Sequence, residues 1–166
     1  MSHNTNKVEW CLKKGEKEGT KHRGLVKIKR NEKIIKAHIK KAEHNLNAII
    51  DFKKSGYSDW SASAAFYSIY HCFLAIINKF GYESRNQECT FALIYTLIED
   101  GKIDLDKELI EEIHSLDVEE KQEMSATELR EIEQYGVSLS IENKTYERIL
   151  ELAKKILDKT KEILEE

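Results

Sequence analysis

Proline is absent from this 166-residue chain, and only seven glycines interrupt it. Average usage of about 5% would supply about eight prolines, so long uninterrupted elements are expected. No window approaches the roughly 18 consecutive apolar residues of a membrane span, and residues 1–6 lack the apolar core of a signal peptide. The sequence therefore predicts a soluble, cytoplasmic, all-α protein that does not bind membranes.

Cysteine is also scarce. Cys11, Cys72 and Cys89 are odd in number and widely spaced, and no Cys-x-x-Cys motif occurs. This pattern supports neither a disulfide framework nor a zinc ribbon. All three are predicted to be reduced thiols, two of them in the core.

The net charge of −3 conceals a marked asymmetry along the chain. Residues 1–41 hold 13 lysines and arginines against four glutamates (+9), and residues 42–166 hold 14 against 26 acidic residues (−12). The basic third can attract phosphate or an acidic partner, whereas the acidic stretch 99–133 should repel nucleic acid. A polyanion is therefore expected to bind on one side only.

Apolar residues recur at spacings of three and four over most of the chain, which is typical of amphipathic helices. The predicted helices cover about 6–18, 31–55, 58–81, 87–99, 104–116, 127–134 and 140–165. Asn31 and Asn86 are suitable N-caps. Residues 20–29 are predicted to be an extended connector that needs no sheet, and the acidic run 117–125 a flexible loop.

These segments predict an up-and-down helical bundle of four to five main helices with an extra N-terminal helix. The chain divides into a basic N-terminal extension (1–30) and the bundle (31–166). The third helix carries a stripe of small residues that packs either against a neighbouring helix or against another subunit.

Few residue patterns carry recognisable chemistry. A single Glu-x-x-His motif, at Glu111 and His114, lies off the apolar stripe, so neither a metal site nor a cofactor is predicted. No nucleophile elbow or glycine-rich phosphate loop occurs. His71 is interpreted as a half-buried, hydrogen-bonded histidine, with a site role as the alternative. Tyr57, Trp60 and Tyr82 are either core residues or surfaces on which a base could stack.

Several strings in order resemble the HEPN family of small helical-bundle proteins of prokaryotes. They are Lys-Ala-Glu-His-Asn-Leu at 41–46, Ala-Ala-Phe-Tyr-Ser-Ile-Tyr-His at 64–71, Phe-Gly-Tyr at 80–82 and Leu-Arg-Glu-Ile-Glu-Gln-Tyr at 129–135. The resemblance covers about residues 31–165. It implies a homodimer, often encoded beside a nucleotidyltransferase, whose active members are metal-independent ribonucleases or toxins.

The nuclease signature of that family is an arginine, a polar residue and, after four to six intervening positions, a histidine. The arginine would hold the scissile phosphate while the histidine moves protons. None of the five arginines here has a histidine in that window. Arg130 and Tyr135 match the signature positions, and because tyrosine ionises near pH 10 it is a poor general base.

Three hypotheses follow from this departure. The leading one is a catalytically silent HEPN-like dimer that binds a nucleotidyltransferase, RNA or a nucleotide, with Arg130 binding phosphate or serving as a structural ion-pair partner. Arg85 and Asn86 at a helix start form a weaker anion site. The alternative is an atypical ribonuclease or toxin of a toxin–antitoxin pair that uses Arg130, Tyr135 and His71. The third is a scaffold whose basic extension recruits an acidic protein.

Overall fold

The computed structural model describes the backbone of residues 2–121 and 138–166 and the side chains of residues 2–114 and 138–166. Its helices are α1 (His3–Glu18), α2 (Glu32–Lys54), α3 (Ser61–Lys79), α4 (Gln87–Glu99), α5 (Lys107–Lys121) and α6 (Asn143–Glu165). Single 3-10 turns cover Gly19–Lys21 and Ser58–Trp60, and two strands, β1 (Leu25–Lys27) and β2 (Tyr82–Ser84), complete the described elements. The predicted all-α helical fold is confirmed.

Helix α3 is the centre of the bundle. It packs against α2, α4, α5 and α6, and Phe66 and Phe73 are fully buried within it. Two of its small residues contact α2, where the Ser61 hydroxyl donates to the Ile49 carbonyl (2.9 Å) and the Ser68 hydroxyl to the Ala42 carbonyl (2.8 Å). These serines of the small-residue stripe therefore serve packing within the chain.

One helical stretch, residues 58–79, is long and apolar enough to cross a membrane by length and composition alone. In the fold, 61% of its most apolar window is buried against the rest of the chain. Burial of this extent is typical of a core helix.

Two predicted caps are confirmed, and they fix where α2 and α4 begin. The Asn31 side-chain oxygen accepts hydrogen bonds from the amides of Lys33 and Ile34 (3.0 and 3.2 Å), and Asn86 accepts one from the Cys89 amide (3.1 Å). These bonds satisfy amides that have no partner inside the helix. Helix α1 begins earlier than expected, because Ser2 is its cap.

The expectation that residues 20–29 need no sheet is wrong. Strand β1 pairs antiparallel with β2, with Leu25 opposite Ser84. The ladder is continued by the Ile28 amide donating to the Gly81 carbonyl (2.8 Å). Val26 and Ile28 are half-buried while Lys27 and Lys29 are exposed, so residues 26–29 alternate with the two-residue period of a strand.

Two boundaries differ at the C-terminal end. Helix α5 continues to Lys121, through the first part of the predicted acidic loop. Its N-cap is Asp106 and not Asp104 as predicted, because the Asp106 carboxylate accepts a hydrogen bond from the Glu108 amide (2.9 Å). Helix α6 begins at Asn143, after Ser140. The predicted helix at 127–134 and the turn at 135–137 lie outside the described residues.

The prediction of three reduced thiols is also wrong. Cys11 of α1 and Cys89 of α4 form a disulfide, and both are fully buried. Cys72 is a free, buried thiol. The two helices lie side by side, so residues separated by 78 positions have their Cα atoms 5.8 Å apart, within the range that a disulfide needs. The division at residue 30 stays a prediction.

Candidate functional site

Arg130 and Tyr135, the matches to the nuclease signature, lie outside the described residues. The helices on either side of this segment, α5 and α6, are in contact with each other. Arg148 of α6 forms two hydrogen bonds of 2.7 Å with Glu112 of α5, and the Ile141 amide donates to the Ser58 hydroxyl (3.1 Å). The paired arginine holds the pKa of the Glu112 carboxyl below its usual range. These contacts join α6 to α5 and join the residues before α6 to the α2–α3 connection.

His71 on α3 contacts His38 on α2. Their Nδ1 atoms are 3.0 Å apart, so one ring donates a hydrogen bond and the other accepts it. Burial lowers the pKa of His71 to about 4, and the neighbouring His38 and Lys41 add to the shift. Burial also lowers the pKa of His38. Both rings are therefore uncharged near neutral pH.

This pair is poorly suited to acid–base catalysis of RNA cleavage. A group with a pKa of about 4 carries its proton about one thousandth of the time at pH 7. A general acid or base works best with a pKa near the working pH. His71 can still donate a hydrogen bond to a ligand or accept one. Its pKa is too low for it to take the role of the missing catalytic histidine.

The lowered pKa of His71 predicts a pH-dependent stability. The unfolded chain binds a proton near pH 6.5, and the folded chain binds it only near pH 4, so protons favour unfolding between these values. We expect the free energy of unfolding to fall from pH 6.5 to pH 5, above the range where carboxylates such as Glu112 protonate.

Urea unfolding at pH 7, 6 and 5 measures this fall. His71→Gln should make the profile less steep, with His38 carrying the remaining slope, and His44→Gln, at an exposed position of α2, should leave it unchanged. Identical profiles for the wild type and His71→Gln would show that His71 does not carry the effect.

Arg85 and Asn86, the weaker anion site expected from the sequence, are held by internal contacts. Arg85 pairs with Glu83 (2.9 Å) and donates to the Thr20 carbonyl (2.9 Å). The Asn86 side chain caps α4 and donates to the Arg23 carbonyl (3.3 Å). Together they tie the segment after α1 to the start of α4, and their binding of phosphate stays a prediction.

The aromatic residues singled out from the sequence differ in exposure. Tyr57 and Trp60 are 59% and 58% exposed at the α2–α3 connection, and Tyr82 is half-buried in β2. Tyr57 and Trp60 are thus not core residues. His114, of the Glu-x-x-His motif, stacks on Phe91 with ring centroids 4.6 Å apart, and its Nε2 lies 3.3 Å from the Glu88 carboxylate.

Metal-ligating side chains are dispersed. Within residues 2–114 and 138–166, no group of three or more histidines, cysteines or carboxylates is placed to hold a metal ion. Lys41 lies near the His38–His71 pair, and its positive charge disfavours binding of a metal cation by these rings. This pairing was missed from the sequence, because no periodic signal shows that two helices bring together rings separated by 33 positions.

The comparison with known families agrees with the helical bundle. The model of the HEPN domain matches residues 35–164, which is 130 of the 166 residues and runs from α2 into α6. The chain therefore belongs to the HEPN family. The match includes Arg130 and Tyr135 and leaves out α1 and β1. No curated protein and no solved structure matches the chain.

Proposed function

We propose that this chain is a HEPN-type binding module that forms a homodimer, engages a nucleotidyltransferase partner or RNA, and does not itself cleave RNA. The observation that carries the proposal is that no histidine follows any of the five arginines after four to six intervening positions, in a chain of this family. A tyrosine stands at the matching position 135, and tyrosine is a poor general base at neutral pH. The low proton affinity of His71 supports the same conclusion.

The charge distribution supports contact with a polyanion at the N-terminal side. Lys13 and Lys17 on α1, Lys21 after it and Lys27 on β1 are all exposed. Acidic residues dominate the rest of the chain. An RNA or an acidic protein surface would therefore approach the α1–β1 side, and RNA binding there would weaken steeply with salt.

RNA binding tests this surface. Labelled single-stranded and hairpin RNAs are titrated with the protein in chelator at several salt concentrations. If Lys17 and Lys21 each contact a phosphate, replacing both by glutamine should reduce the log–log salt slope for single-stranded RNA by about 1.4. Replacing Lys154 and Lys155, exposed on α6, is the matched control. Equal slopes for both double variants would contradict RNA binding at this surface.

A second function, an atypical ribonuclease or toxin, is favoured by one observation: Arg130 remains at the phosphate-holding position although the histidine is lost. This function requires growth arrest on expression that Tyr135→Phe abolishes. Expression without arrest in either form favours the silent module.

A further inference from the structure

A pocket of about 420 Å³ opens between the start of α2, the second half of α3 and the β1–β2 sheet. Its volume lies within the range of small-molecule sites, which are mostly apolar with a few placed polar groups. Five of its lining side chains are apolar or aromatic, and they are Ile28, Ile34, Leu74, Ile77 and Tyr82.

A hydrogen-bond donor of Asn78 is free at this pocket. Asn78 is only 4% exposed, and its side-chain oxygen accepts the Asn31 amide hydrogen (2.9 Å). Its Nδ2 group has no hydrogen-bond partner among the described residues. In the same part of the chain, no fully buried side-chain nitrogen or oxygen lacks a partner. The Nδ2 group must therefore be accessible, and the pocket is the cavity that Asn78 lines. A donor left open in an almost buried side chain indicates an acceptor from outside.

The charges around the pocket favour a negative ligand. Lys29 lines it, and so does Asn31 at the start of α2, a helix of 23 residues whose N-terminus carries a partial positive charge. Glu83 lines it too, but its carboxylate is paired with Arg85 at 2.9 Å. Among the described residues that line the pocket, the unbalanced charge is thus that of Lys29, to which the helix terminus adds.

We infer that this pocket binds a small organic anion, whose single carboxylate or phosphate group lies at Asn78 and Lys29 and whose apolar or aromatic body packs on Ile34 and Leu74. The inference is independent of the proposed function, because it uses no residue of the nuclease signature and none of the lysines tested with RNA.

A matched pair of fluorescent probes tests the inference. Anilinonaphthalene sulfonate is an aromatic monoanion, and N-phenyl-1-naphthylamine has the same body without the charge. We expect one sulfonate site per chain, weakened about tenfold by Lys29→Glu and unchanged by Lys13→Glu. The neutral probe should not respond to Lys29→Glu.

The apolar wall is tested in the same assay. Ile34, 42% exposed in the first turn of α2, can be replaced by aspartate without loss of folding, since a carboxylate is favourable there. Ile34→Asp should weaken both probes, whereas Trp60→Asp, at an exposed apolar residue of the α2–α3 connection, should weaken neither. Circular dichroism confirms folding of each variant.

Displacement of the sulfonate by benzoate or by phenyl phosphate distinguishes a carboxylate ligand from a phosphate ligand. Either result supports the inference. Displacement by neither compound, or equal losses in the pocket variants and their controls, would overturn it.

Discussion

Opening the Cys11–Cys89 disulfide is expected to lower the free energy of unfolding by about 4 kcal/mol. The bond closes a loop over a sequence separation of 78, and a cross-link of this length removes much of the conformational entropy of the unfolded chain. A loss of this size would lower the melting temperature of a chain of this length by about 10 °C. The bond is also the covalent tie between α1 and α4, so the N-terminal helix should be the first element to loosen.

Thermal melts with and without a dithiol reductant measure this effect. Cys11→Ser should melt at one temperature in both conditions, because it cannot form the bond. Cys72→Ala removes the free thiol and should keep the full response to reductant. The disulfide would be contradicted if the denatured, unreduced wild type had three titratable thiols and its melting temperature did not change with reductant.

Gly15→Ala is expected to destabilise the protein by about 1–3 kcal/mol, the usual cost of overpacking. On an exposed helix this change would stabilise, because alanine is the better helix former by nearly 1 kcal/mol. Here a Cβ atom on residue 15 would lie 2.2 Å from the Leu25 carbonyl oxygen and 2.9 Å from the Val26 side chain. Because the nearest atom belongs to the backbone of β1, α1 must move away from the strand.

Urea unfolding of Gly15→Ala and of Lys13→Ala separates packing from helix propensity. Residue 13 is exposed on the same helix, so Lys13→Ala should stay within about 0.5 kcal/mol of the wild type. A wild-type or higher stability for Gly15→Ala would show that α1 does not pack this closely on β1.

The parts of the fold that the sequence predicts well are those set by local pattern. Helices α2, α3 and α4 have continuous apolar periodicity, and Asn31 and Asn86 stand at the starts of two of them. The β1–β2 sheet could not be predicted in this way. Each strand has only three residues, which is too short to show a periodic signal, and the two strands are more than 50 positions apart in the sequence. The disulfide could not be predicted from local pattern either, because it joins residues 78 positions apart.

The candidate site is less predictable than the fold. Arg130 and Tyr135 come from the resemblance to a family and lie outside the described residues. The pocket depends on Asn78 and Lys29, which are nearly 50 positions apart, and on an accessible side-chain amide of Asn78 that no sequence pattern reports. The low pKa of His71 depends on burial beside His38, a tertiary contact between two helices.

The most direct test of the central claim is an RNA cleavage assay in chelator with the wild type, Arg130→Ala and Arg23→Ala. Arg23 is exposed and outside the matched region, so its variant controls for the loss of one arginine. The account predicts no cleavage above a protein-free control in any of the three. Cleavage by the wild type and by Arg23→Ala that Arg130→Ala abolishes would contradict the account and would make this protein a ribonuclease without the family histidine.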